Sequence, residues 1–306
     1  MTHLIGGENL AQEYINIVSR YPPSLGKLQN SIMDIRKTVS FLSIGILSSL
    51  LLVGCNPPNN VQVGNSSQAN PSTQLTVSAA ASLKEAMEEI KKLYQEEYPD
   101  RDIIYNFGSS GSLQRQIEQG APVDVFISAA VDKMDTLEEQ GLILTGSRRD
   151  LLKNQMVLVT SASNQTELKL SDFKDLTTEG VTKVALGEPE SVPAGKYAQQ
   201  VLTSFKIAEQ VNSKAVYGKD VRQILNYVAT GNVDAGIIYY TDAQVSDDLK
   251  IVATAPETTH SPVIYPIAVI QDSDAPEAAS ELVEFLETPA AQAVFEEYGF
   301  VSVTNN

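Results

Sequence analysis

From Leu75 onward, short apolar runs that suit strands alternate with amphipathic runs that suit helices, and small residues fill the joints. Leu75 to Val77 leads through Ser78-Ala79-Ala80-Ala81-Ser82 into a helix over Leu83–Tyr98, with Leu83, Met87, Ile90, Leu93 and Tyr94 at helical spacing. Ile103–Phe107 leads through Gly108-Ser109-Ser110-Gly111 into a second helix that Gly120 stops. Val123–Ser128 precedes a helix over Met134–Gln140. The same grammar returns with a strand over Val181–Leu186 before a helix over Ala194–Phe205. It continues with a helix over Val221–Thr230 and a strand over Ala235–Tyr240. Such alternation predicts an α/β fold with parallel strands. Ligands of open α/β sheets sit beyond the carboxyl ends of strands, so the joints are the places to look for a site. Four of them hold Ser82, Ser110, Ala194 and Val221, and Tyr239 stands at a strand end.

Helix starts attract anions, because the first N–H groups have no intrahelical partner and the dipole favours negative charge. The joint at Ser82 also has a plain structural reading. Ser82-Leu83-Lys84-Glu85 is S-x-x-E, a capping box in which the hydroxyl and Glu85 satisfy each other's backbone N–H groups. Local grammar favours the cap.

Composition narrows the choices. The formal net charge is −16, which disfavours nucleic acid and anionic surfaces as partners of the folded body. An anion site in such a chain must be local and built from hydrogen-bond donors. Cys55 is the single cysteine and His3 and His260 are the two histidines, too few for a Cys/His metal site. A Ser-His-Asp hydrolase would have to use His260, and Gly108-Ser109-Ser110-Gly111 is not G-x-S-x-G. No turnover is expected.

The N-terminal region reads as targeting sequence. Met33 to Lys37 is a short basic stretch and Val39–Val53 an apolar one, ending in Leu52-Val53-Gly54-Cys55. This resembles the bacterial lipobox, which implies a diacylglycerol on Cys55 and a protein tethered outside the cytoplasmic membrane. Residues 1–54 are thus expected to be an upstream segment plus a lipoprotein signal peptide, with Met33 as the start. Residues 55–74 form the lipidated cysteine and a tether rich in Asn, Ser, Pro and Gln.

An ordered set of motifs then resembles the molybdate-binding proteins of ABC transporters, the ModA type. They are A-A-A-S-L at 79–83, F-G-S-S-G-S-L at 107–113, D-V-F-I-S-A at 124–129 and G-E-P-E-S-V-P-A-G-K-Y-A at 187–198. D-V-R at 220–222, G-I-I-Y-Y-T-D-A at 236–243, Y-P-I-A-V at 265–269 and F-E-E-Y-G-F at 295–300 complete the set. The resemblance implies a two-lobed type II periplasmic-binding-protein fold, each lobe a mostly parallel sheet flanked by helices. One lobe would take residues 75–154 and 259–306, the other 155–258. It implies that Ser82 and Ser110 give hydroxyl and backbone donors, Ala194 and Val221 backbone N–H groups, and Tyr239 its phenol. Molybdate or tungstate would be held as an oxyanion through these residues, with no direct metal ligand and no cofactor. Gly111 stands where some members have serine. Arg222 and Lys196, beside two of the helix starts, read as salt-bridge or lobe-surface residues, and His260 as a loop residue. The expected partner is an ABC permease, the expected state a monomer on the periplasmic side. Sulfate, phosphate, a hydrolase and a non-transport lipoprotein remain as alternatives, since one fold serves many functions.

Overall fold

A computed structural model describes residues 73–164 and 169–303. The signal-like segment, Cys55 and nearly all of the tether lie outside the described residues. The elements in chain order are β1 (Thr73–Ala80), α1 (Lys84–Glu97), β2 (Arg101–Gly108), α2 (Ser110–Glu118), β3 (Val125–Ile127), α3 (Val131–Glu139), β4 (Arg149–Asn154) and β5 (Met156–Ser161). There follow β6 (Val184–Gly187), α4 (Pro193–Ser204), α5 (Ala208–Asn212), β7 (Ala215–Gly218), α6 (Val221–Ala229), β8 (Ala235–Tyr239) and α7 (Tyr240–Gln244). The chain ends with β9 (Leu249–Thr254), β10 (Val263–Val269), α8 (Pro276–Leu286), α9 (Pro289–Glu297) and β11 (Val301–Ser302).

The strands form two sheets, ordered β11-β4-β10-β3-β1-β2 and β7-β6-β8-β5-β9. Both are mixed. β1, β2 and β3 run parallel, as do β6, β7 and β8. β10 is antiparallel to β3 and β4, and β5 is antiparallel to β8 and β9. The reversal has a simple origin. β5 and β10 are the strands by which the chain enters a sheet from the other one, and each runs against the parallel strands that the βαβ units of that sheet supply. Only Gln155 separates β4 from β5, so the first crossing is nearly continuous strand.

Side-chain alternation sorts the core to the two faces of the first sheet. Leu75, Val77, Ala79, Val125 and Ile127 share one buried cluster with Met87, Ile90 and Tyr94 of α1 and with α8. Phe126 and Ala268 face the other way, onto Leu113 and Ile117 of α2 and Met134 and Leu137 of α3. In the second sheet, α6 buries Val221, Ile224, Leu225 and Val228, the stripe its spacing predicts. Each such side chain contributes about 1.5–3 kcal/mol when fully buried. This packing fixes the start of α6, and with it the backbone at Val221.

Register then sets the positions of the joints. β1 and β2 pair from Thr73↔Arg101 to Ala80↔Gly108, so Ser82 and Ser110 each follow the same paired end. β6 and β7 end together at Gly187↔Gly218, ahead of α4 and α6. Tyr239, the last residue of β8, pairs with Met156 at the first crossing.

Candidate functional site

The carboxyl ends of the parallel strands of both sheets meet around one small cavity. About 210 Å³ of space between atoms lies there, part of it open to solvent, and Ser82, Ser110, Ala194, Val221 and Tyr239 all line it. Ala129, Val192 and Pro193 complete much of the wall, and among the described residues no Asp, Glu, Lys, Arg or His side chain lines it. All five predicted residues are buried.

Each joint is shaped for a helix start. Ser110 is the first residue of α2, Val221 the first of α6, and Ala194 follows Pro193 at the start of α4. Proline suits a first helical turn because the missing N–H would have no partner there. Asp220 caps α6 by accepting from the Gln223 N–H at 2.8 Å. The amides of Ser110, Ala194 and Val221 lie in first turns, where no carbonyl of their own helix can accept from them. A Cβ on Gly195 would overlap the Gly187 carbonyl, so glycine is what lets α4 sit this close to the end of β6.

The hydroxyls are arranged as donors. Ser110 Oγ accepts from the Ala129 N–H at 2.9 Å, which leaves its own proton to give. Tyr239 is 2% exposed, and its hydroxyl finds no hydrogen-bond partner among the described residues. A buried hydroxyl in that condition costs about 1–3 kcal/mol. Burial pushes the phenol well above its ordinary value, so it keeps its proton and can donate it.

The capping box at Ser82 does not form. Ala81–Leu83 is a 3-10 turn before α1, and Ser82 makes no cap bond there. Its Oγ lies instead 2.8 Å from the Tyr265 hydroxyl, far away in sequence. Glu85 does not reach back either, because it pairs with Arg222 of the other sheet's α6. Tertiary contacts outcompete the local rule at both of its residues.

Arg222 and Lys196 stay off the cavity and join elements of the two sheets. Arg222 Nε donates to the Ala81 carbonyl at 3.2 Å, and Lys196 pairs with Asp132 at 3.1 Å. The Gly111 N–H donates to the Ser191 carbonyl at 3.0 Å across the same boundary. Asp242 of α7, fully buried, lies 3.1 Å from Arg222 Nε. The Nε–H points to Ala81 rather than to Asp242, whose two oxygens accept no hydrogen bond among the described residues. Burial pushes the Asp242 carboxyl up to about 7, against the pull of Arg222 and with Glu85 and Asp220 adding to the rise. His260 lies outside the cavity wall, its Nδ1 2.8 Å from the Ser261 carbonyl oxygen.

Sequence reasoning missed Ala129, Tyr265 and Asn154. Ala129 closes D-V-F-I-S-A, a strand running into small residues like the other joints, and that form was a usable signal. Tyr265 opens Y-P-I-A-V and Asn154 ends β4, both in strands of the first sheet, where nothing local gives either residue a role at the site.

The chain matches the profile of the bacterial extracellular solute-binding proteins over residues 75–301. It is 42% identical over 266 residues to YvgL of Bacillus subtilis, covering 87% of this chain and 99% of that protein, which is described as an ABC transporter substrate-binding lipoprotein. It is 34% identical over 232 residues to the molybdate-binding protein ModA of Haemophilus influenzae, covering 75% and 90% of the two chains. A solved structure from Clostridium difficile, described as the substrate-binding domain of a molybdenum ABC transporter, superposes with a TM-score of 0.60 at 45% identity. That match covers 76% of this chain and all of that one. The chain belongs to the extracellular solute-binding proteins of ABC transporters, and within them to the ModA family.

Proposed function

We propose that this protein captures molybdate, with tungstate as a near twin, and hands it to an ABC permease outside the cytoplasmic membrane. The observation that carries the reading is the convergence of Ser82, Ser110, Ala194, Val221 and Tyr239 on one uncharged cavity. Molybdate is a dianion at neutral pH, so its site must offer donors and no competing acceptors. Rotatable hydroxyls and backbone N–H groups meet that need without a cation. Residues 75–154 with 259–306 act as one lobe and 155–258 as the other, closing on the anion by a hinge at the crossings. Sulfate, with shorter bonds, would leave some buried donors unmet, at about 1–3 kcal/mol each. The names of the ModA relatives support the ligand, and that of YvgL supports lipidation at Cys55.

Calorimetric titration with molybdate, tungstate, sulfate and phosphate tests the ligand, paired with melting curves read by an extrinsic dye because the chain has no Trp. Saturation near 1,000 times Kd stabilises by about 4 kcal/mol, a shift easily seen. Binding of molybdate and tungstate without sulfate is expected. Binding of sulfate or phosphate alone would overturn the ligand assignment. Cys55→Ser should release the protein from the membrane fraction, and its retention there would count against the lipid anchor.

A further inference from the structure

Ser82 can serve an anion only if its proton points into the cavity, and the groups behind it decide where that proton goes. Its Oγ lies 2.8 Å from the Tyr265 hydroxyl, a pair in which either atom could donate. Asn154 settles the direction. Its Oδ1 accepts from the Gln155 N–H at 2.8 Å, and turning the amide over would set two donors against each other. Nδ2 therefore faces Thr241 Oγ1 at 2.9 Å and the Tyr265 hydroxyl at 3.1 Å, and it can only donate. The Tyr265 oxygen thus accepts from Asn154, and among the described residues Ser82 Oγ is the acceptor left for its one proton. Ser82 accepts in turn, so its own proton is free for the cavity.

The chain is held rigidly. Tyr265 is fully buried, and its ring meets Tyr239 and Phe300 edge-on with centroids 5.9 and 5.5 Å away. A register shift between Tyr265 and Pro266 interrupts the β10–β4 ladder at this residue, the kind of irregularity that re-aims a side chain. Ser110 needs no such relay, because a backbone N–H performs the same task there.

We infer that Tyr265 is a positioning residue for anion capture, committing the Ser82 hydroxyl to donate through the directed chain from the Gln155 N–H by way of Asn154. This rests on the oxyanion reading of the site. It adds that two residues which do not line the cavity set the donor character of one that does.

A double-mutant cycle tests it, with molybdate Kd by calorimetry and the ligand-free melting temperature measured for each protein. Tyr265→Phe should weaken molybdate binding severalfold, because Ser82 keeps its proton but loses the donor that orients and polarises its hydroxyl. In a Ser82→Ala background the same change should weaken it by less than about twofold, because Tyr265 acts through Ser82. Asn154→Ala, which frees the Tyr265 hydroxyl to accept from Ser82, should show the same background dependence and serves if Tyr265→Phe folds poorly. A merely structural role would lower affinity equally in both backgrounds, and that result would overturn the inference. So would unchanged affinity in Tyr265→Phe when the wild type binds. A wild-type protein that binds none of the four anions would instead overturn the oxyanion reading, and this inference with it.

Discussion

Tyr239→Phe removes one oxygen from the cavity wall and leaves the ring, so its two consequences have opposite signs. The ring keeps its edge-on contact with Tyr265, and the β8 pairing to Met156 is untouched. The hydroxyl has no protein partner among the described residues, so its removal breaks no hydrogen bond and relieves a burial that costs about 1–3 kcal/mol. The ligand-free melting temperature should stay level or rise. Bound to an anion, the same hydroxyl gives a hydrogen bond to a charged acceptor, a contact that contributes about 1.5–3 kcal/mol. Its loss should raise the molybdate Kd about tenfold to a hundredfold. Because burial holds the phenol protonated, the loss should not vary with pH near neutrality. Calorimetry and dye-monitored melting on the same two proteins read both effects. A Kd within twofold of wild type would refute a donor role for Tyr239. A ligand-free melting temperature several degrees lower would show that the hydroxyl is structural, and the orphaned oxygen would then need another account.

Two further changes probe closure and its pH dependence. A Cβ at Gly111 would lie 2.7 Å from the Ser191 carbonyl oxygen, where the two sheets' elements touch. Gly111→Ala should therefore weaken molybdate binding severalfold while sparing the ligand-free melting temperature, and unchanged affinity would mean that the contact can yield. Asp242 carries the pH prediction. Its folded value is raised from 3.8 to about 7, so its contribution is full below 3.8 and lost as pH rises through 7. The interval, at about 1.4 kcal/mol per pH unit, is on the order of 4 kcal/mol. Melting of Asp242→Asn should lose this dependence, so that wild type falls relative to the variant between pH 4 and about 7 and runs parallel to it above. Parallel curves throughout would show that Asp242 does not titrate in that window.

How far these features can be read without coordinates depends on what each residue must do. The βα joints are legible because periodicity changes there from two to 3.6 and small residues mark the change. Strand direction is not legible, since β10 presents Val-Ile-Tyr-Pro-Ile-Ala-Val whichever way its neighbours run. β4 and β7 escape notice for another reason. β4 packs only Leu151, Leu152 and Asn154 amid exposed charges, and β7 is a short edge strand with a single buried residue. Within the site, Ser82, Ser110 and Tyr239 carry a chemical signal in their hydroxyls. Ala194 and Val221 carry none, because every non-proline residue has an N–H and only its place in a helix start frees it. Ser82 shows where local reading fails. S-x-x-E is a sound cap, yet both of its residues take distant partners, Ser82 with Tyr265 and Glu85 with Arg222. A capped Ser82 would accept from its own helix and remain there. Taken out of the cap and set against a donor, it accepts from Tyr265 instead and keeps a proton to give. A cap would also leave that proton to give, as the backbone donor does for Ser110; what the departure changes is the donor, a distant phenol that no local rule marks.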